Sequence, residues 1–197
     1  MSRFIESIKL QDGQFYRLPF HQARVAEVFK TFFPNNIQIK LLELLESENI
    51  PLKGIFKCRV VFDSKIQLIE FVPYTPRKIN SLMLVDTHIE PTRYKSENRE
   101  KINEAFSKKQ NCDDIIMLNN GCFSDASYMN IALWNGENWC TPAQPIIYGT
   151  QRAALLKSGK IIEENITKEN FPAFKSIRLF NAMIEFGEIE LDCKFIY

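Results

Sequence analysis

The chain has 197 residues, 45% hydrophobic and 25% charged, the make-up of an ordinary globular protein. Its 25 basic and 24 acidic residues nearly cancel, so no net field draws it to nucleic acid or an anionic membrane. MSRFIESIKL alternates without an apolar leader and no apolar run approaches bilayer length, so a cytoplasmic protein without membrane partners is expected.

In chain order, FIESIKL (4–10) alternates apolar and polar residues, Asp12-Gly13 signals a tight turn and QFYRL alternates again, which predicts an opening β-hairpin. HQARVAEVFKTFF (21–33) has helical spacing and stops at Pro34-Asn35-Asn36, and IQIKLLELLESE (37–48) predicts a second helix. KCRVVFD (57–63) and KIQLIEFV (65–72) are predicted strands joined by a turn at Ser64, with INSLMLV (79–85) a further strand. DTHIEPTRYK (86–95) is polar, irregular and broken by Pro91, the mark of a crossing between two halves.

Beyond it, Ser96 offers an N-cap to a helix in ENREKINEAFSKK (97–109), with Glu97 and Glu100 in the favourable first turn. DDIIMLNNG (113–121) predicts a strand and turn, and YMNIALWNGENWC (128–140) a hairpin around Asn135-Gly136. TQRAALLKSG (150–159) predicts a helix closed by Gly159, followed by a strand in KIIEE, a short helix near KENFPAF and a strand in SIRLFNAMIEF (176–186). The expected fold class is α/β, mixed α+β, with two small α/β domains at 1–86 and 87–197 joined by a loop. Cys58, Cys112, Cys122, Cys140 and Cys193 are odd in number, with no C-x-x-C pair and little histidine nearby, which points to buried thiols rather than a disulfide or a metal site.

Singly, the polar candidates have bland readings. Lys95 reads as a solvated charge, Asp125 in FSDASYMN as a turn residue, His21 and Arg24 as one polar helix face, and Gly149-Thr150 as a helix start. Their order carries more. H-x-x-R on the first helix, a lysine past the crossing, DDIIMLNNG, an acidic residue before small residues and Asn-Ile, then T-P and G-T-x-R opening a helix, resembles the class IV aminotransferases. That family includes the aminodeoxychorismate lyases and is fold type IV among pyridoxal-phosphate enzymes. FIESI looks like the family's F-E-T-I strand and LFNAM like its late Asn-Ala segment, so the resemblance spans nearly the whole chain.

The resemblance implies pyridoxal 5'-phosphate as cofactor. Such an enzyme needs an amine to carry the cofactor, an anchor for the phosphate and an acid at the pyridine nitrogen. By similarity Lys95 is the Schiff-base lysine and proton carrier, in the second domain, and Asp125 faces the ring nitrogen. The phosphate falls to Arg24 and to backbone amides around Thr150 and Gln151, while Ser127 and Asn181 occupy positions that line the phosphate and substrate pocket. Arg59 alternates with apolar neighbours in its strand and is either a substrate-carboxylate contact or an outward strand charge. The family usually has glutamate where this chain has Asp125, and because the chain begins near the F-E-T-I strand, the resemblance leads one to expect a short member without the family's preceding segment, which often contributes to the dimer. Two activities fit the family: transamination of a branched-chain or D-amino acid, and pyruvate elimination from 4-amino-4-deoxychorismate on the way to folate. R-L-F-N-A-M inclines the reading to the lyase, working as a homodimer; a non-catalytic cofactor-binding relative is the alternative outside enzyme chemistry.

Overall fold

In the computed structural model, which describes residues 2–197, the chain divides into two compact units: 1–76 with 93–98, and 77–92 with 99–197. The expected division at 86/87 falls inside a strand of the second unit, and Lys95 belongs to the first. Backbone pairing explains both shifts.

In the first unit, β1 (Phe4–Gln11) turns at Asp12 (φ 49°) and Gly13 (φ 80°) into the short β2 (Gln14–Phe15), the two-residue hairpin expected from Asp-Gly. α1 (Leu18–Phe32) starts before His21 because Pro19 sits in its first turn, where a missing N–H costs nothing. α2 is shorter than expected, Leu41–Glu46. Gln22 of α1 explains the loss: its amide donates to Ile39 O and accepts from Leu41 N, holding the preceding chain extended. β3 (Ile55–Phe62) and β4 (Ile66–Pro73) complete an antiparallel sheet ordered β2-β1-β3-β4.

Strand alternation places Phe4, Glu6, Ile8 and Leu10 on one face of β1. Phe4 and Ile8 pack with Val60 and Phe62 of β3 beneath Val25, Val28 and Phe29 of α1 and Leu41 and Leu45 of α2. The 93–98 segment returns to this unit along the part of β1 that β2 leaves unpaired. Ile5 N donates to Lys95 O and Glu97 N to Arg3 O, both at 2.9 Å, and Phe4 bridges Ser96. Ser96 is therefore not the expected N-cap; its Oγ accepts from Asn98 N.

In the second unit, β5 (Leu82–Thr87) lies parallel to β6 (Asp114–Asn119), with α3 (Glu100–Ser107) as the connecting helix. This pairing is why the residues before 86 belong here. β7 (Cys122–Ala126) returns antiparallel through a tight turn at Asn120 (φ 51°) and Gly121 (φ 79°). No strand was expected at β7, although Asn-Gly was the available hairpin signal. β8 (Asn130–Trp134) and β9 (Trp139–Pro142) form the expected hairpin around Asn135-Gly136. α4 (Thr150–Lys157) connects β9 to the parallel β10 (Ile162–Glu164), and β11 (Ser176–Phe180) and β12 (Ile189–Asp192) complete a sheet ordered β10-β9-β8-β11-β12. The strand expected over 176–186 stops at Phe180, because the Asn181 side chain accepts from Met183 N and Ile184 N and bends the chain into a turn.

No helix among the described residues is long and apolar enough to cross a membrane. The five cysteines are free thiols, and burial pushes Cys58, Cys140 and Cys193 up to about 12, leaving them protonated and unreactive at neutral pH. Phe4 is 1% exposed and touches the rings of Phe32, Phe33, Phe62 and Tyr94. Phe4→Ala is expected to cost about 3–5 kcal/mol through the cavity it leaves, read as a lowered urea midpoint.

Candidate functional site

In the first unit, Lys95 is half-buried and its main chain is fixed by the Ile5 hydrogen bond. Its Nζ donates to Ser7 Oγ at 3.1 Å. Ser7 follows Glu6 on β1, so the two side chains leave opposite faces of the strand.

Glu6 was not among the expected site residues. The signal for it was present: a lone acid on the face otherwise made of Phe4, Ile8 and Leu10. Its carboxylate is gripped from α1, Oε1 by Arg24 Nε at 2.7 Å and Oε2 by Arg24 Nη2 at 2.6 Å, with His21 Nδ1–H donating to Oε2. Burial pushes Glu6 upward, but the Arg24 charge and the hydrogen bonds from His21 and Arg24 outweigh it and hold the group at about 2. Burial also keeps His21 below its ordinary range, aided by the Arg24 and Lys95 charges and opposed by the Glu6 contact. His21 is thus a neutral donor and Glu6 an ionised acceptor at physiological pH. Arg24 is 8% exposed, and among the described residues its Nη1 has no hydrogen-bond partner.

In place of an open carboxylate contact, Arg59 meets two protein carboxylates: Nη1 donates to Glu70 at 3.1 Å and Nη2 to Glu97 at 2.9 Å. The reason is register, since Glu70 stands opposite Arg59 on β4 and the 93–98 segment brings Glu97 alongside.

In the second unit, Asp125 lies on β7 and is 5% exposed. Its Oδ1 accepts from Asn130 Nδ2 and its Oδ2 from Ile147 N, both at 2.8 Å. Burial pushes the carboxyl up to about 7, against the lowering effect of those donors and of Arg152. Asn130, the first residue of β8, also donates to Ile147 O at 2.8 Å. Its Oδ1 lies only 2.0 Å from where a Cβ on Gly149 would stand, so residue 149 must be glycine for Asn130 to fit. One carboxamide therefore ties Asp125 to the loop that starts α4. In the sequence Asn130 stands out only as part of an Asn-Ile pair.

Thr150 and Gln151 form the first turn of α4, 4% and 2% exposed, and Gln151 Oε1 has no hydrogen-bond partner among the described residues. Ser127 and Asn181 both have partners within the protein. Ser127 donates from N and Oγ to the buried Asp114 at 3.2 and 3.0 Å, and Asn181 Nδ2 donates to Tyr128 O at 3.2 Å. Both side chains brace the bend between β7 and β8. Among the described residues no group of three or more His, Cys, Asp or Glu side chains is arranged to hold a metal ion.

The sequence profile of the class IV amino-transferase family matches residues 3–190, so the chain belongs to that family of pyridoxal-phosphate-dependent enzymes. A Haemophilus somnus protein provisionally named a 4-amino-4-deoxychorismate lyase has a similar structure: TM-score 0.86 at 26% identity, over 93% of this chain and 97% of that one. A Mesorhizobium loti protein provisionally named an amino-acid aminotransferase matches at TM-score 0.80 and 20% identity over 100% of both chains. The pyridoxal-phosphate-bound form of a hypothetical Mycobacterium tuberculosis aminotransferase shares the fold at TM-score 0.76 and 13% identity, over 93% of this chain and 78% of that one.

The raised Asp125 carboxyl makes the apoprotein's stability depend on pH. Between about 4, the unfolded value, and about 7, the folded state holds the proton more tightly than the unfolded chain, so stability falls as pH rises through this window. Asp125→Asn removes this group's contribution. Its melting temperature is expected to drop less between pH 5 and pH 8 than the wild type's, measured on both apoproteins by thermal scans.

Proposed function

We propose that the protein eliminates pyruvate from 4-amino-4-deoxychorismate and releases 4-aminobenzoate, a precursor for folate, as a cytoplasmic homodimer. The observation that carries this reading is the likeness, over nearly all of both chains, to the Haemophilus somnus protein named for that reaction. The side chains present also suit pyridoxal phosphate. In the first unit Arg24 has an Nη1 without a hydrogen-bond partner among the described residues, a donor that suits a phosphate dianion. In the second unit the first turn of α4 has backbone N–H groups that no carbonyl of the helix can take, which suit an anion too. Asp125 accepts two hydrogen bonds and has lone pairs left for a pyridine N–H.

When bound, the cofactor supplies an electron sink that makes the C–H beside the substrate amine acidic. Lys95 would hold the cofactor, and its Nζ would take up that proton once the substrate amine has displaced it. Ser7 orients the waiting amine. Asp125 would accept from the ring N–H and keep that nitrogen protonated, and Asn130 keeps Asp125 in place. With that proton taken by Lys95, the ether C–O bond on the adjacent substrate carbon would break and the substrate's own ring would become aromatic. The departing enolpyruvate takes up a proton as pyruvate. Arg59 stays in its ion pairs, and Ser127 and Asn181 act by bracing the chain after Asp125. Transamination is the second reading, favoured by the end-to-end match to the Mesorhizobium loti protein.

Purified protein with pyridoxal phosphate is expected to show a visible absorption band that Lys95→Ala abolishes; no lysine-dependent band would end the enzyme reading. With 4-amino-4-deoxychorismate it should release pyruvate without any keto acid. Turnover only when a keto acid is supplied would assign it to transamination. Asp125→Asn should keep the cofactor and lose at least about a hundredfold in turnover, the scale of a lost electrostatic contact at the reacting group.

A further inference from the structure

We infer that Glu6, steadied by His21, is a positioning residue that aims Arg24 at the cofactor's phosphate; this rests on the cofactor contacts proposed above. Glu6 is 1% exposed on the face of β1 that carries Phe4 and Ile8 into the core. An ionised carboxylate is costly in such a place, and an aliphatic side chain would fill it without that cost. Packing alone therefore gives no reason for an acid here.

Its hydrogen bonds do. Glu6 takes Arg24 at both Nε and Nη2, a two-point contact that fixes the plane of the guanidinium where a single bond would leave it free to swing. His21, on the same face of α1 three residues before Arg24, donates to Oε2 and so fixes the carboxylate in turn. With Nε and Nη2 tied to Glu6 and the stem enclosed, Nη1 is the edge that the guanidinium has left to offer an anion. Glu6 also offsets the Arg24 charge while no phosphate is present, which lets the buried cation wait in its working orientation.

The test compares pyridoxal 5'-phosphate with pyridoxal, which lacks the phosphate, by titrating apoprotein and following the absorption change. In Glu6→Gln the preference for the phosphorylated compound should fall about tenfold or more, the scale of one charge-assisted hydrogen bond, while pyridoxal affinity changes less than about twofold. Equal weakening of both ligands means general loosening, and an unchanged preference means that Arg24 needs no aiming; either overturns the inference. In an Arg24→Gln background the effect of Glu6→Gln on the preference should vanish, and its persistence would show that Glu6 does not act through Arg24. If Glu6→Gln fails to fold, His21→Gln, which keeps the ion pair, decides by the same ratio: a lowered preference supports the inference and an unchanged one refutes it. Wild-type protein that binds neither compound refutes the cofactor contacts themselves, and this inference with them.

Discussion

A strand must send successive side chains to opposite sides, and β1 of the first unit is built around that constraint. Its inward face carries Glu6 to Arg24 and His21; the next residue, Ser7, leaves by the other face and meets the Lys95 amine. A slip of one residue in the pairing of β1 with β3 would exchange the two faces and lose both contacts at once. The register is held along the full strand from Phe4↔Phe62 to Gln11↔Ile55, and the aromatic cluster around Phe4 punishes any other alignment. Core packing and placement of the polar residues are thus one requirement.

The second unit solves a comparable problem with an amide. Asp125 is buried and needs donors, and Asn130 supplies one while binding the Ile147 carbonyl and pressing against the bare Cα of Gly149. The helix start at Thr150 is thereby set relative to the acid through side-chain contact rather than through a long stretch of regular structure. Leu155 of α4 then packs with Ala132 and Phe180, anchoring the far end of the same helix in the core. Glycine at 149 reads as an ordinary helix boundary until the neighbour occupying its missing side chain is known.

Local features were legible in the sequence where local physics decides them. Asp12-Gly13 and Asn135-Gly136 turn as those pairs do, and most strands and helices appear near their expected positions. The family resemblance was legible because it depends on the order of residue types along the chain. What could not be read were features decided by distant partners. Ser96 looks like a cap until Phe4 claims it for a bridge, and Arg59 looks available until Glu70 and Glu97 are brought beside it. The domain boundary was misplaced for the same reason: β5 pairs with β6, about thirty residues away, and Lys95 with β1, about ninety away.

The backbone bond from Ile5 to Lys95 bears on how the lysine can act. Because the main chain is pinned there, the reach of the amine is set by its own four-carbon stem. In the reaction proposed above, a base tethered in this way would act at an effective concentration far above that of any amine in solution. The rigidity that matters for that role lies in the strand beneath the lysine.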